Sequence, residues 1–402
     1  MLGRFKKTLL LTHPDINKLK EELKLLQKNL NQSTGDLYLQ AFSKRNWELL
    51  DQLDIFVKNS NTNFALPISR HGSGTQNIAT FLIFKAYINL LLKKVVSNPE
   101  AFPIIAIEEP EAHIHPQAQR ELFGEIKELK GQKIISTHSI FIVEQTDIYD
   151  IVLLKNNQGI STAHQIPKFK KQLKPNLPAI AYEKNKTLNK KEESMIKRYV
   201  KYKQAEIFFS NLFILCEGDS EKLFLEQIIP YYKNKTIGQL GISVINCDGK
   251  NYTTFLKVAK LLEMNWIIFS DAEEDTKKEV KKQSKNVGFK EQKINENIIF
   301  LPKNADFEKL YIDFYGENII KEFITEIFDK DIFQNFKNDA KEGLEKRNES
   351  KNYSEKELLN KFIDSKGKPH MAEKLANYII KKKLEIPKVI KELIDKSYSK
   401  LS

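Results

Sequence analysis

With 402 residues the chain is long enough for two or three domains, and a hydrophobic share of 41% supplies ordinary cores. No apolar run reaches the roughly eighteen residues of a membrane helix, and Met-Leu-Gly-Arg-Phe-Lys-Lys leads into no signal-like stretch, so a cytoplasmic protein away from membranes is expected. The net charge of +12, from 65 basic and 53 acidic residues, favours a polyanionic partner, although a Lys- and Asn-rich composition explains part of it. Cys216 and Cys247 fall in or at the ends of predicted strands, and read as small core residues in a reducing compartment rather than as a disulfide.

The first predicted element is an amphipathic helix over Asp15 to Leu30, with Ile16, Leu19, Leu23, Leu26 and Leu30 on one face. A second helical stretch is predicted from Leu37 to about Val57. Ser69-Arg-His-Gly-Ser-Gly-Thr-Gln-Asn77 then opens the apolar pattern Ile78 to Val96. A Gly-rich turn that starts a helix offers free N–H groups to an anion. Pro103 to Ile107 reads as a buried strand ending in Glu108, Glu109, Pro110 and Glu111. His113, His115 and Pro116 precede a helix from Gln117 to Leu129. Lys133 to Ser136 is a further strand, ending in Thr137, His138 and Ser139. The spacing His113-x-His115 leaves zinc open, but no Cys or other His lies close in sequence. Ile151 to Ile166 reads as two short strands around Asn156-Asn-Gln-Gly159.

Prolines at 167, 175 and 178, then a Lys-dense run to Lys203, mark a boundary. That run reads as a helical linker with a solvated face, or as a basic nucleic-acid track. Beyond it strands and helices alternate: strand Leu212–Cys216, helix Ser220–Tyr231 capped by Ser220, strand Ile242–Cys247, helix Tyr252–Glu263 and strand Trp266–Ser270. This order predicts a parallel sheet with crossover helices. Thr276 to Lys293 reads as a charged, mobile insertion, and Asn297–Pro302 as another strand. From Ile319 the chain is helical and charged, with Lys366-Gly-Lys368-Pro-His entering a last amphipathic helix.

The strand Leu212–Cys216 ends in Glu217-Gly218-Asp-Ser-Glu221, and Trp266–Ser270 ends in Asp271-Ala-Glu273. If both strands share one parallel sheet, Glu217, Glu221, Asp271 and Glu273 converge on one edge. Such carboxylates repel unless a cation lies between them. All-oxygen ligands suit Mg²⁺ or Mn²⁺, one ion or two, and the chemistry this predicts is metal-assisted attack on a phosphodiester.

Strand-Glu-Gly-x-x-Glu followed about fifty residues later by strand-Asp-x-Glu resembles a Toprim domain. The usual Asp-x-Asp is here Asp271-Ala-Glu273. The string Glu-Glu-Pro-Glu-Ala-His-Ile-His-Pro, followed by strand and His138, resembles the second half of an ABC-type ATPase of the RecF-like branch. Together they resemble the OLD (overcoming lysogenization defect) family of endonucleases. That resemblance implies an α/β fold: a partial ABC-type ATPase lobe, then a Toprim domain with a parallel sheet, flanking helices and a helical C-terminal extension. It places the ATPase part at 1–166, a linker at 167–205 and the Toprim nuclease at 206–402.

The resemblance assigns Ser73, Gly74 and Gln76 to a signature loop that touches ATP held by an opposing subunit. It gives Glu108 the Mg²⁺ shell, Glu109 the attacking water and His138 the γ-phosphate. Glu221, Asp271 and Glu273 would hold metal, joined by Glu308, with Asp306 as alternate. Glu217 would complete that site or act as general base. Lys368, with Lys366 as second choice, would stabilise the charged transition state. The sequence has no Gly-x-x-x-x-Gly-Lys-(Ser/Thr), so ATP is expected only if that loop comes from elsewhere, the chain being either a piece of a longer protein or a natural truncation. The implied function is a metal-dependent endonuclease gated by the ATPase part, acting on DNA with RNA open, dimeric or larger, with a possible partner chain and a role in antiviral defence. The alternative is a non-catalytic binding or sensing subunit that needs a partner.

Overall fold

The structure, a computed structural model, describes residues 36–41, 53–58, 66–77, 79, 104–129, 131–157, 159–168, 187–302, 305–328, 331–345 and 353–401. It divides into two compact units, Met1–Thr146 and Asp147–Ser402. The helix expected over Asp15–Leu30 lies outside the described residues, as does the apolar stretch Ile78–Val96 apart from Ala79.

In the first unit, strand β1 (Asp36–Ala41) pairs antiparallel with β2 (Leu53–Lys58), which pairs with β3 (Leu66–Pro67). These strands correct the helix expected from Leu37 to Val57. Leu37, Leu39 and Ala41, and again Leu53, Ile55 and Val57, alternate with period two, and that pattern overrides the helical reading. Strand β4 (Ile104–Glu108) pairs in parallel with β5 (Gln132–Ser136), and helix α1 (Pro116–Glu128) crosses between them. Ile114, Ala118, Leu122 and Ile126 form a small core against Ile107 and Ile135. Ser139 caps the short helix α2 (Ile140–Gln145).

The second unit opens with the expected hairpin, β6 (Val152–Asn157) against β7 (Ile160–Gln165). Lys155 Nζ donates to the Glu263 carbonyl at 2.6 Å. Helix α3 (Lys190–Tyr199) starts in a capping box between Asn189 and Glu192. The Lys-rich run is more than a solvated face. Ile196 and Val200 are buried, and Lys257 Nζ meets Glu192 Oε1 at 2.7 Å with both side chains less than a tenth exposed.

The main sheet has four parallel strands in the order β11 (Ile298–Phe300), β10 (Asn265–Ser270), β8 (Leu212–Cys216), β9 (Ile242–Asn246). Every residue of β8 is buried, as a central parallel strand covered on both faces requires. Helices α4 (Asp219–Lys233), α5 (Ile237–Leu240) and α6 (Tyr252–Leu261) make the crossovers. The expected mobile insertion is instead two helices, α7 (Glu274–Val287) and α8 (Glu291–Asn297). Thr276, Val280, Ser284 and Val287 recur at helical spacing and are all fully buried, while surrounding lysines mask the stripe in composition.

After β11 come α9 (Phe307–Ile327), broken at Gly316 with φ 78°, then α10 (Ile332–Glu345), α11 (Glu355–Lys366), α12 (Lys368–Lys382) and α13 (Lys388–Ser399). Leu359, Phe362, Leu375, Ile379 and Leu393 join Phe224 and Phe307 in one core. The charged tail is therefore an integral layer of the second unit, packed on α4. No helix among the described residues is long and apolar enough to cross a membrane.

Candidate active site

The register between β8 and β10 sets Leu215 opposite Ile268, so both strands finish at one edge. Glu217 follows β8 directly and Asp271 follows β10 directly. Helix α4 begins at Asp219, with Gly218 as N-cap rather than Ser220, which lies buried in the first turn. Glu221 reaches back, and its Oε2 accepts from the Gly218 N–H at 3.0 Å. A Cβ on Gly218 would stand 3.3 Å from that same oxygen, so Gly218 leaves room for the carboxylate. The loop after β11 leads to Asp306, which caps α9 by accepting from the Lys309 N–H at 2.8 Å. Glu308, in the first turn of α9, accepts from Lys368 Nζ at 3.1 Å, and Asp364 lies 3.4 Å from the same ammonium.

Burial and mutual repulsion dominate the electrostatics. Burial, aided by the Asp271 and Glu308 carboxylates, pushes Glu221 up to about 7. Burial, then Glu217, Asp306, Glu273 and Glu308, pushes Asp271 up to about 6. Glu217 is raised by burial, with Lys250 opposing and Glu273 reinforcing, and its Oε2 is buried without a hydrogen-bond partner. Burial opposes the charge of Lys368, but Glu308 and Asp364 outweigh it and raise the pKa.

Glu217, Glu221, Asp271, Glu308 and Lys368 are thus neighbours in one field. Glu273 stands at its rim, 72% exposed and 3.9 Å from Lys250. Asp306 is engaged as a cap and by Lys309 at 2.6 Å, whereas Glu308 is held by Lys368. Lys366 lies over the rings of Phe328 and Phe362. Asp248 turns away to Arg198 at 3.3 Å. Sequence reasoning overlooked Lys250, whose only signal was its place in Asp248-Gly-Lys after a strand. It also overlooked Tyr311, whose buried hydroxyl has no partner, and the buried Tyr252 and Ser270, whose hydroxyls lie close to each other. Each looked like an ordinary core residue.

Among the described residues no group of three or more His, Cys, Asp or Glu is close enough to hold a metal ion. The donor chemistry nevertheless fits a hard divalent cation. The oxygens are carboxylates, Glu217 Oε2 is an orphan, and the raised pKa values record burial first and mutual repulsion second, both of which a bound cation would offset.

In the first unit β4 and β5 end side by side, with Glu108 opposite Ser136. Glu109 has φ 40°, and its Oε1 lies 3.3 Å from His138 Nε2. Glu111 Oε1 accepts from the Thr137 hydroxyl at 2.6 Å and from the His138 N–H at 2.7 Å, tying the two strand ends together. Residues 73–77 are helical. Ser73 is exposed, and the Gln76 amide donates to the His71 carbonyl at 2.7 Å. A Cβ on Gly74 would meet the His113 carbonyl oxygen at 2.7 Å, and Asn77 Nδ2 donates to the Ala112 carbonyl at 2.6 Å. The Gly-rich turn therefore packs against the segment that carries His113 and His115.

Comparison with known proteins finds one family match within each unit. Residues 8–143 match the model of an AAA ATPase domain. Residues 208–272 match the overcoming lysogenization defect protein-like TOPRIM domain, a span that holds Glu217, Glu221 and Asp271 but not Glu273, Glu308 or Lys368. The chain is 23% identical over 354 residues to endonuclease GajA of Bacillus cereus (strain HuB5-5), covering 78% of this chain and 49% of that protein. It thus spans about half the length of that curated relative. The C-terminal region of the Xanthomonas campestris pv. campestris OLD protein is 19% identical, with 49% of this chain and 96% of that one covered and a TM-score of 0.37. The corresponding region of the Burkholderia pseudomallei OLD protein is 17% identical, with 48% and 100% covered and a TM-score of 0.35. The chain joins an AAA-type ATPase domain to an OLD-like TOPRIM domain.

Proposed function

We propose that the second unit is a divalent-metal-dependent endonuclease that cleaves phosphodiester bonds of DNA or RNA. The observation that carries this reading is the electrostatic coupling of Glu217, Glu221, Asp271 and Glu308 at the carboxyl edge of adjacent parallel strands, with Lys368 paired to Glu308. Glu221, Asp271 and Glu308, with Glu273 at the rim, would hold one or two Mg²⁺ or Mn²⁺. Such an ion, when bound, polarises phosphoryl oxygens and acidifies water. Glu217 completes that set or takes the proton from the attacking water, and burial raises its pKa in the direction that makes it a stronger base. Lys368, kept protonated by Glu308 and Asp364, faces the charge that develops on the phosphoryl oxygens.

The first unit would regulate this chemistry. Glu109 and His138 pair where a γ-phosphate and its water would sit, with Glu108 beside them. Ser73, Gly74 and Gln76 would complete the nucleotide site across a dimer or larger oligomer. ATP binding needs the phosphate loop from elsewhere, and a partner chain is one source. Defence against phage is the biological setting suggested by analogy with the family.

A second reading has one observation in its favour. Glu273 replaces the usual Asp, is mostly exposed and leans toward Lys250. If it leaves the metal set incomplete, the domain binds nucleic acid without cutting. The deciding experiment is cleavage of supercoiled plasmid in Mg²⁺ or Mn²⁺, against EDTA and a Glu217→Ala variant. Nicking or linearisation lost in both controls is expected. A wild type that shifts DNA on a gel yet leaves it intact would establish the second reading.

A further inference from the structure

A polar cleft of about 750 Å³ lies within the second unit, between α3, the loop after β9 and α7. Its walls carry Lys191 and Arg198 from α3, Lys250 from the loop, and Lys282 and Asn286 from α7. Two of its carboxylates are already matched: Glu192 by the buried Lys257, and Asp248 by Arg198. Glu279 is hydrogen-bonded by Gln283 at 3.0 Å. Among the described residues Lys191 and Lys282 have no hydrogen bond or ion pair, and both are exposed. Lys250 links the cleft to the carboxylate edge, since its Nζ lies 3.9 Å from Glu273 and its charge acts on Glu217.

The lining excludes two classes of ligand. A drug-like or cofactor pocket is predominantly apolar, whereas here Met195 is the one large apolar side chain. A site that stacks bases needs aromatic rings, and none lines this cleft. Amide, hydroxyl and ammonium groups on facing helices suit the sugar–phosphate backbone of a nucleic-acid strand. Such a strand lying in the cleft passes Lys250 directly into the carboxylate field.

We infer that this cleft is the track for the strand flanking the scissile phosphate, bound through its backbone and without sequence preference. This deepens the nuclease reading and rests on it. The test is fluorescence anisotropy of labelled DNA and RNA single strands and a DNA duplex, in EDTA to prevent cleavage, over a range of NaCl concentrations. The Lys191→Ala/Lys282→Ala variant is expected to bind about tenfold more weakly, with a log–log salt slope shallower by about one unit or more. Lys191→Arg/Lys282→Arg keeps the charge and restores binding. Lys278→Ala/Lys281→Ala removes the same charge from exposed positions of α7 that do not line the cleft, and is expected to change little. Equal losses in the two alanine pairs, or no binding by the wild type, overturn the cleft. Cleft-dependent binding by a protein that never cleaves in Mg²⁺ or Mn²⁺ upholds the cleft and sinks the nuclease. Cleavage unaffected by the cleft variants, with binding unchanged, does the reverse.

Discussion

Lys368 Nζ lies 3.1 Å from Glu308 Oε2, although sixty residues separate them in the chain. Glu308 opens α9 and Lys368 opens α12, so the contact joins two helix starts to the carboxyl edge of the sheet. The Lys368 side chain is 45% exposed and that of Glu308 11%, so solvent screens the ammonium end and the pair contributes modestly to stability, on the order of 1 kcal/mol. Lys368→Ala is therefore expected to leave the thermal midpoint nearly unchanged while lowering the cleavage rate by about 10²–10³-fold. Lys368→Arg is expected to recover only part of it, because a planar guanidinium does not replace a point charge. Single-turnover plasmid nicking beside a melting curve checks this, and equal losses of stability and rate would contradict it.

Glu221 makes the metal-free protein sensitive to pH. Its carboxyl titrates near 4.3 when unfolded, and burial moves it to about 7 in the fold. Between those values the folded state binds more protons than the unfolded state, so stability falls as pH rises and the full penalty is present above the folded pKa. The penalty is on the order of 3–4 kcal/mol. Metal-stripped protein is expected to melt lower at about pH 8 than at about pH 5. Glu221→Gln keeps an acceptor for the Gly218 N–H and loses the charge. It is expected to raise the alkaline midpoint and flatten the profile. Divalent cation should stabilise the wild type at alkaline pH and not the variant. A Glu221→Gln protein that melts lower than wild type at alkaline pH would refute this account.

The Lys257–Glu192 pair ties α3 to α6 in a buried place. Removing one partner strands the other charge, and Lys257→Met is expected to cost about 3–5 kcal/mol. The double change Lys257→Met/Glu192→Met should recover most of that loss, apart from the capping-box arm that Glu192 supplies. Urea unfolding of the wild type, the Lys257→Met and Glu192→Met single variants and the double variant measures the coupling. An additive pair of losses would show that the ions do not depend on each other.

Gly74 is held to glycine by a close approach. Any Cβ would come within 2.7 Å of the His113 carbonyl oxygen, a backbone atom that cannot swing aside. Gly74→Ala is expected to cost about 1–3 kcal/mol locally. Hydrogen exchange should rise over 71–77 and 111–115, with the amides of β8 and β10 unaffected. Unchanged exchange in the first two segments would show that the contact is relaxed in solution.

The sequence alone determined the strand–carboxylate units. Leu212–Cys216 and Trp266–Ser270 are short unbroken apolar runs, and each is followed at once by an acid, so element and candidate residue were read together. The Glu109–His138 edge was legible for the same reason. Local patterns misled where charge or alternation hid the true period. Lysines concealed the buried stripe Thr276, Val280, Ser284 and Val287, and the Leu37–Val57 segment passed for a helix although its apolar residues alternate.

Only the tertiary structure decided what depends on distant segments meeting. It brought Glu308 within electrostatic reach of Glu221 and Asp271 and paired it with Lys368, kept Asp306 as a cap, and sent Asp248 to Arg198. It also set the magnitude of the electrostatics. A carboxylate's pKa depends on how much water is removed around it and which charges surround it, and neither is a property of its neighbours in sequence.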